Sequence, residues 1–366
     1  MEIKYDERGG ILNTVAEPSP IIKKKGKRGY NFIERFLLKH SRKINYLLDG
    51  QGRYKCRQQD YPPVLRIGVT NRCAARCTYC PREYIHAGGS GYMEMDLFRT
   101  IVRWCLDHGI KEMGFALWGE PLLHPQILEM IELAAKAGFK MRLSTNGIVL
   151  NKELAEKISD YDFEAIEMSM DGFTGKEYLA GKGVDKFNQA KENILYFLDL
   201  ARRKKSRAIF NIHFVDVGNV SFLNRVRYVR FWRKQLQGLK FMTSFIYEPH
   251  NWAGTRDASR RKMGWLDRIL GKFELKKPCV YLKGLAINWD GTAYLCSNNP
   301  LPSSILGNIK EENIEAIYKK DKRERCLSEH ERGSFNCEGC DSCTVNSIFP
   351  LLFLKKVLIN KIISLF

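Results

Sequence analysis

The feature that most constrains the fold is an alternation of apolar runs with amphipathic segments between residues 64 and 246. Six apolar runs predict β-strands, at residues 64–70, 112–117, 140–144, 165–169, 208–214 and 240–246. Five intervening segments predict helices, at residues 96–108, 124–137, 151–159, 186–204 and 222–237. Strands that alternate with helices are typical of a parallel sheet. The alternation therefore predicts an α/β fold whose sheet is either barrel-like or doubly wound.

Regions outside this alternation have a different character. Residues 1–62 are predicted to be a basic extension, and the alternating core is assigned to residues 63–275. Residues 276–345 are rich in cysteine and are predicted to form a separate small domain that includes a hairpin turning on Asp290-Gly291. An apolar content of 44% excludes an intrinsically disordered chain. The N-terminus lacks the apolar stretch of a secretory signal, and no run of about 18 apolar residues predicts a membrane span.

The chain is strongly basic, with 60 Lys and Arg against 41 Asp and Glu and a net charge of +19. Such a charge suits nucleic acid, because Lys and Arg release counterions from phosphate backbones. The excess is concentrated in two segments, namely residues 201–277 (19 basic, 5 acidic) and residues 1–55 (13 basic, 6 acidic). No recognised RNA-binding module accompanies it. An anionic substrate or lipid surface explains the charge at least as well, and a nucleic-acid partner is not expected.

Three cysteines follow the first predicted strand in the pattern Cys73-x3-Cys77-x2-Cys80. Disulfides are rare in a reducing cytosol, so a metal centre is the better interpretation of clustered thiols. Most [4Fe–4S] clusters have four cysteine ligands, and three would leave one iron open, as in a catalytic rather than a structural metal site. A zinc site that takes its fourth ligand from elsewhere is the alternative.

This motif, with Tyr79 before its last cysteine, resembles that of the radical S-adenosylmethionine (SAM) superfamily. The resemblance implies a partial (β/α)6 barrel similar to a TIM barrel, with Cys73, Cys77 and Cys80 as ligands of a [4Fe–4S] cluster whose open iron binds SAM. Reduction then cleaves SAM to methionine and a 5′-deoxyadenosyl radical. Tyr79 would lie near the adenine. The location fits, because sites of β/α barrels lie at the carboxyl ends of their strands.

Further motifs fall at successive strand ends. The segment Leu117–Pro121 resembles the family's GGEP element with Trp118 in place of the first glycine, so Gly119 and Glu120 are expected to hold the methionine ammonium of SAM. Residues 144–147 and 169–172 match positions that contact the ribose and carboxylate, which implicates Asn146, Ser169 and Asp171. Each motif alone is an ordinary turn. Asn211 and His213 on the fifth strand are possible cofactor or substrate contacts, and a buried structural histidine is an equal alternative.

The cysteine-rich segment resembles the SPASM or twitch extension of the same superfamily, which binds auxiliary [4Fe–4S] clusters. Its cysteines are too few for the usual pair of clusters, so one auxiliary cluster is predicted, and a second remains possible. The expected ligands are Cys279, Cys296, Cys337 and Cys340, with Cys343 competing for the fourth place and Cys326 as a doubtful sixth cysteine. A structural zinc site is the alternative. Cys56 and Cys105 have no partners at motif spacing and are expected to be buried thiols.

The resemblance implies a cytoplasmic oxidoreductase that abstracts a hydrogen atom and passes an electron to the auxiliary cluster. Sulfatase-maturing relatives have an acid after the cysteine that matches Cys296, whereas this chain has Ser297. The basic extension is shorter than the leader-binding domain of peptide crosslinkers. A small or carbohydrate-like substrate, anionic or lipid-linked, is therefore preferred to a peptide, and a nucleic-acid-modifying iron–sulfur protein is the rival class. No catalytic base is identified, and Glu248, Arg256 and Asp290 are only polar candidates.

Two partners are expected besides the substrate. An electron donor such as flavodoxin or ferredoxin would reduce the cluster that binds SAM. Residues 346–366 are apolar and basic and predict an amphipathic helix, which suits peripheral binding to an anionic cytoplasmic membrane face. Packing of this helix on the barrel or in a dimer interface is an equal alternative.

Overall fold

The computed structural model describes residues 61–85, 89–241, 246–247, 251–255, 275–276, 279–344 and 347–348. The predicted basic extension up to residue 60, Cys56, Glu248 and Arg256 lie outside these residues. So does the predicted C-terminal amphipathic helix of residues 346–366, except for Ser347 and Ile348, which form a short strand. No helix within the described part is long and apolar enough to cross a membrane.

Twelve strands and nine α-helices are formed by the described residues. The strands are β1 Val64–Ile67, β2 Glu112–Phe115, β3 Lys140–Thr145, β4 Phe163–Ser169, β5 Ile209–Val215, β6 Lys240–Phe241, β7 Ile246–Tyr247, β8 Leu275–Lys276, β9 Leu285–Ile287, β10 Thr292–Tyr294, β11 Ile305–Asn308 and β12 Ser347–Ile348. The helices are α1 Arg82–Ile85, α2 Met95–Asp107, α3 Ile127–Lys136, α4 Lys152–Ile158, α5 Gly175–Lys182, α6 Phe187–Arg203, α7 Phe222–Leu236, α8 Ile314–Tyr318 and α9 Asp321–Glu331.

The main sheet confirms the predicted partial barrel. Strands β1 to β6 lie side by side in chain order, and every neighbouring pair among them is parallel. A helix follows each of the first five strands, as the alternation predicts. In the described residues the sheet does not close, because it runs from β11 at one edge to β6 at the other.

The predicted hairpin at Asp290-Gly291 is present as the antiparallel pair β9 and β10. It is not set apart from the barrel, since β9 pairs in parallel with β1 and thereby extends the same sheet. The backbone groups on the outer edge of β1 would otherwise lack partners, and β9 provides them. The predicted boundary between residues 275 and 276 stays a prediction, although the hydrogen bonding of the sheet crosses it.

The two faces of the barrel strands have different chemistry. On β5, Phe210, Ile212 and Phe214 are fully buried against the surrounding helices, whereas the alternate residues Asn211 and His213 are only partly buried. Asn211 stands beside Glu167 of β4, and His213 stands beside Ser169 of the same strand. Register partners share a face, so the inner face of this part of the sheet is polar.

Helix α5 (Gly175–Lys182) was not among the helices predicted from the sequence. Thr174 begins it with a capping box, in which the Thr174 side chain accepts from the Glu177 backbone and the Glu177 carboxylate accepts from the Thr174 backbone. The helix lacks a clear apolar stripe because it buries charged residues, among them Lys182, next to the site described below. Hydrophobic periodicity therefore could not reveal it, although the Thr174-x-x-Glu177 signature was present.

Candidate functional site

The loop after β1 carries Cys73, Cys77 and Cys80, all partly buried. The Cys80 backbone nitrogen donates to the Cys77 carbonyl at 3.1 Å, so the last two cysteines lie on one tight turn. The amide nitrogen of Asn146, at the end of β3, donates to the sulfur of Cys73 at 3.4 Å. The predicted Asn146 therefore lies next to the predicted metal ligands.

The same loop is fastened to the end of helix α5. The backbone nitrogens of Arg76 and Thr78 donate to the carbonyls of Lys182 and Gly181, at 2.8 and 2.9 Å. Gly183 allows this approach, because a Cβ at that position would lie 2.2 Å from the Arg76 carbonyl oxygen, and its φ of +67° is in the left-handed region. The cysteine loop is thus held in place by backbone contacts with α5.

Glu120 lies buried where β2 passes into the next turn. One carboxylate oxygen accepts from the Thr145 hydroxyl at 2.8 Å, and the other accepts from the Asn146 backbone at 2.8 Å. Burial raises the pKa of Glu120 to about 7, against the lowering effect of these hydrogen bonds. Glu120 thus joins the ends of β2 and β3, and its oxygens retain lone pairs that could accept from a ligand ammonium.

Asp171 and Lys182 form a buried ion pair at the end of β4. The Lys182 ammonium lies 3.5 Å from one carboxylate oxygen of Asp171 and donates to the hydroxyl of Ser169 at 2.6 Å. The Tyr79 hydroxyl donates to the same oxygen of Asp171 at 2.8 Å, and the Val215 backbone donates to the other oxygen at 3.0 Å. Three predicted residues, Tyr79, Ser169 and Asp171, are therefore brought together by a lysine that the sequence analysis did not select.

The charge of Lys182 is maintained in this buried position. Burial lowers its pKa, but the neighbouring Asp171 carboxylate and then the Cys77 sulfur raise it by more, and the net pKa lies above the ordinary value. A cation therefore stands next to the cysteine loop and the predicted carboxylate subsite of SAM. The available sequence signal was weak, because a lysine between Gly181 and Gly183 resembles a solvent-exposed helix end.

His213 lies on the inner face of β5 beside Ser169. Burial, followed by the nearby Lys182 cation, lowers the pKa of His213 to about 4, so its imidazole is neutral at physiological pH. His213 and Asn211 thus line the same polar face as the predicted SAM residues. Their role as cofactor or substrate contacts stays a prediction.

Trp118, which replaces a glycine of the family motif, packs away from this polar group. Its ring meets that of Tyr294 on β10 edge to face, with centroids 4.7 Å apart, and Ala286 of β9 belongs to the same small apolar cluster. The substitution thus provides a large apolar side chain that joins the end of β2 to the cysteine-rich region.

A second group of cysteines surrounds a cavity next to the β9–β10 hairpin. Its lining includes Cys279, Cys296, Cys340 and Cys343. The pKa of Cys279 is raised by its contact with the Cys296 thiol and by burial. The backbone of Asn298 donates to the Cys296 sulfur at 3.3 Å, which would stabilise a thiolate. The predicted competitor Cys343 lies in this cavity wall.

Cys337 does not line this cavity and is grouped instead with Cys340, Cys326 and His330. A ligand atom of each of Cys326, His330, Cys337 and Cys340 lies within 4.8 Å of the others. The sulfurs of Cys326 and Cys337 are close enough to form a disulfide. Cys105, by contrast, is a fully buried thiol on α2, where burial raises its pKa to about 12.

Both cysteine groups fit iron–sulfur clusters by the chemistry of their donors. In the first, three thiol groups from one loop face a neighbourhood of hydrogen-bond donors, which includes the Asn146 amide and the Lys182 ammonium. In the second, four sulfurs line one mostly apolar cavity, and the polar side chain of Asn299 holds its outer loop by donating to the Glu338 carbonyl at 3.1 Å.

Two family models match the chain. Residues 67–218 match the radical SAM superfamily, and residues 279–344 match the SPASM iron–sulfur cluster-binding domain. The two matched segments contain the first and the second cysteine group respectively.

Similar proteins were found by sequence and by structure. A probable GTP 3′,8-cyclase of Methanocaldococcus jannaschii is 33% identical over 131 residues, which are 36% of this chain and 42% of that protein. The chain thus spans less than half of that relative's length. Structural similarity is found to BtrN in complex with AdoMet and 2-DOIA (15% identity, 78% of this chain, 94% of that chain, TM-score 0.53). Streptococcus suis SuiB is also similar (14%, 81% and 73%, TM-score 0.51). At these identities the two structures show the fold alone.

Proposed function

We propose a reaction for this chain from the premise that it belongs to the radical SAM superfamily and carries a C-terminal SPASM domain. The two domains imply [4Fe–4S] clusters and SAM. The proposed reaction is the removal of a hydrogen atom from a small, polar, anionic substrate within the barrel, with net oxidation of that substrate.

The cofactors supply the difficult chemistry, namely a 5′-deoxyadenosyl group that takes a hydrogen atom and an auxiliary cluster that accepts one electron. The protein supplies binding and orientation. Cys73, Cys77 and Cys80 would hold the cluster that binds SAM, and Glu120 would accept from the SAM ammonium. Lys182 would donate to its carboxylate, and Asn146, Ser169 and Asp171 would orient the rest of the molecule.

Cys279, Cys296 and Cys343 would hold the auxiliary cluster, with Cys340 at the edge of the same cavity. The Cys279 thiol contacts that of Cys296, so one metal centre would bind both sulfurs.

The polar inner face of β4 and β5 is the observation on which the substrate class depends. Ser169, His213, Asn211 and Glu167 stand in two neighbouring register rows on this face. Hydroxyl, amide and imidazole groups can each donate or accept hydrogen bonds, which matches a sugar or nucleotide better than an apolar molecule. A neutral His213 can serve as an acceptor in such a site.

Arg66 favours an anionic group on that substrate. It lies on β1, its guanidinium stands 4.7 Å from the ring centre of Tyr281, and one nitrogen donates to the Ser297 hydroxyl at 3.0 Å. Ser297 directly follows Cys296, at the position where sulfatase-maturing relatives have an acid. A cation with a neutral partner at this junction would attract a phosphate or carboxylate, whereas a neighbouring acid would neutralise it.

The name of one sequence relative supports a small anionic substrate. The sequence relative is named for action on GTP, which is a small anionic nucleotide, and the proposed class includes such molecules. Peptide modification is the second candidate in the superfamily, and it becomes an outcome of the experiment below. An electron donor such as flavodoxin or ferredoxin and peripheral binding to an anionic membrane remain proposals of the sequence analysis.

A panel of candidate substrates tests the proposal. The full chain, reconstituted anaerobically with iron and sulfide, is mixed with SAM, a reductant and either nucleotides, sugar phosphates, amino sugars or peptides. We expect an anionic small molecule to raise the rate of 5′-deoxyadenosine formation and to lose two hydrogens by mass. Stimulation by peptides alone would contradict the proposal.

A variant of Arg66 tests whether this residue binds the anionic group of the substrate. Arg66→Gln should raise the KM of the anionic substrate about tenfold or more, because a hydrogen bond to a charged group contributes about 1.5–3 kcal/mol. Arg99→Gln is the matched control, since Arg99 lies on the surface of α2 in a pair with Asp96. An unchanged KM in Arg66→Gln would remove Arg66 from the substrate site.

A further inference from the structure

The four residues Cys326, His330, Cys337 and Cys340 are not explained by the proposed reaction. Cys326 and His330 stand four residues apart on α9, so both occupy the same helix face, and they are 1% and 0% exposed. Cys337 and Cys340 follow in a turn closed by the hydrogen bond from the Cys340 backbone to the Cys337 carbonyl (2.8 Å). The fold thus brings two short segments together through buried or partly buried donor atoms.

The chemistry of these donors is that of a zinc site. Three sulfurs and one imidazole nitrogen, in a Cys-x3-His pair and a Cys-x2-Cys pair, make up a common tetrahedral set. Ligands of a single tetrahedral ion with metal bonds of about 2.3 Å lie about 4 Å apart. The observed separations of at most 4.8 Å agree with one ion. The cysteines of an iron–sulfur cube bind different irons, and their sulfurs therefore stand farther apart.

The contacts of His330 indicate which ring nitrogen carries the lone pair. Its Nδ1 accepts a hydrogen bond from the Cys279 backbone nitrogen at 3.2 Å, which assigns the proton of the neutral ring to Nε2. Nδ1 therefore has the lone pair and is the atom that can bind a metal, at the expense of this hydrogen bond. Phe335 packs edge to face against the ring, with centroids 4.9 Å apart, and fixes the plane of the imidazole.

We propose that Cys326, His330, Cys337 and Cys340 bind a zinc ion beside the auxiliary cluster. The ion joins α9 to the loop that carries Cys340 and Cys343, and it leaves Cys279, Cys296 and Cys343 as the cysteine ligands of the cluster. Cys279 lies beside both sites, because its backbone nitrogen stands 3.2 Å from His330 Nδ1 and its thiol lines the cluster cavity. The zinc therefore has a structural role, in which it holds one wall of the cluster site.

A disulfide between Cys326 and Cys337 is the alternative to the zinc site. The contact between their sulfurs is that of a disulfide. Thiolates are the form that binds zinc, so a disulfide and the proposed ion exclude each other. Metal analysis of the full chain, purified and kept without oxygen, distinguishes the two.

The experiment measures zinc and iron per chain by elemental analysis, and the zinc environment by X-ray absorption. We expect about one zinc per chain, with three sulfurs at about 2.3 Å and one nitrogen at about 2.0–2.1 Å. Cys326→Ser and His330→Ala should lose the zinc and keep the iron of the cluster that binds SAM. His330→Cys should retain the zinc with four sulfurs. Cys105→Ser is the control, since Cys105 is equally buried but lies on α2 and is not one of the four proposed ligands.

Three results would overturn the proposal. The first is wild-type protein without zinc whose intact mass lacks two hydrogens, because this identifies a disulfide. The second is a loss of about four irons in Cys326→Ser, because this identifies Cys326 as a cluster ligand. The third is an unaltered zinc content in both Cys326→Ser and His330→Ala. None of these readouts depends on catalysis, so a failure of the proposed reaction is distinguishable from a failure of the zinc site.

Discussion

At the scale of single residues, the site depends on charges that are buried and paired. The side chains of Lys182 and Asp171 are 3% and 2% exposed, and each makes further hydrogen bonds with Ser169, Tyr79 or the backbone. Removal of one charge from such a pair leaves the other charge buried without compensation. The pair thereby combines a structural role at the end of β4 with the placement of a cation near the cysteine loop.

Lys182→Met should lower the free energy of unfolding by about 3–5 kcal/mol, because it leaves the Asp171 carboxylate unpaired. The double variant Lys182→Met with Asp171→Asn should recover most of this loss, since it removes both charges. Chemical denaturation of the full chain measures both effects. Lys157→Met is the control, because Lys157 forms an exposed pair with Glu153 and its removal should leave the free energy of unfolding nearly unchanged. Equal stabilities of Lys182→Met and wild type would contradict the buried pair.

Glu120 predicts a pH dependence of SAM binding. Its pKa of about 7 is above the ordinary value because the group is buried. The carboxylate that would accept from the SAM ammonium is therefore lost as pH falls through 7, while protonation itself favours the folded state. We expect the affinity for SAM to rise about tenfold between about pH 6 and pH 8, because the ionised fraction rises by about that factor.

Equilibrium titrations of SAM against the reconstituted chain at constant ionic strength check this dependence. Glu120→Gln should bind SAM more weakly and should lack the pH dependence, since an amide does not titrate in this range. An equal pH dependence in Glu120→Gln and wild type would assign the titration to another group.

At the scale of elements, close contacts between strand-end loops determine the shape of the site. Gly119 passes Thr70 so closely that a Cβ would lie 1.9 Å from the Thr70 carbonyl oxygen. Backbone atoms cannot move aside as a side-chain end can, so the loop after β2 would have to shift. Glu120 is the next residue, and its backbone donates to the Arg72 carbonyl at 2.8 Å, which ties this loop to the segment before Cys73.

Gly119→Ala should therefore destabilise the chain by about 1–3 kcal/mol and weaken SAM binding. Gly114→Ala is the matched control within the same strand and turn region, because the nearest atom to its added Cβ would be 3.8 Å away. Thermal unfolding and SAM titration of both variants measure the difference. If Gly119→Ala behaved as Gly114→Ala does, the close approach to Thr70 would be refuted.

Much of the fold could be predicted from the sequence, because its strands and long helices have clear periodicity. The six predicted barrel strands and five helices are found in the predicted places, and the described residues of the sixth predicted strand form β6 (Lys240–Phe241) and the start of β7 (Ile246–Tyr247), both paired with β5. Helix α5 was missed because it buries charged residues rather than an apolar stripe. The pairing of β9 with β1 was also missed, because no local pattern encodes a contact between segments so distant in the chain.

The candidate site was predictable to a similar degree. Motifs at strand ends identified Glu120, Asn146, Ser169 and Asp171, since parallel strands bring their carboxyl ends together. Lys182 could not be found in this way, because it comes from a helix end rather than a strand end. Cysteine spacing placed five thiols in one region but could not determine that Cys343 faces the cavity with Cys279 while Cys337 lies with Cys326.

At the scale of the whole molecule, one continuous sheet carries both cysteine groups. The loop with Cys73 follows β1, and the hairpin of the second group begins with β9, which pairs with β1. Trp118 and Tyr294 pack across this junction, and Arg66 reaches from β1 to Ser297. The proposed SAM site, the polar inner face and the proposed auxiliary-cluster site are therefore parts of one framework, which suits a reaction that needs all three at fixed distances.

Formation of 5′-deoxyadenosine is the most direct test of this account. The full chain is reconstituted anaerobically to about eight irons, as expected for two [4Fe–4S] clusters, and is then mixed with SAM and dithionite. We expect 5′-deoxyadenosine and methionine to accumulate in equal amounts, whereas Cys77→Ser should form neither product. Absence of 5′-deoxyadenosine from wild-type protein with its full iron content would contradict the central claim.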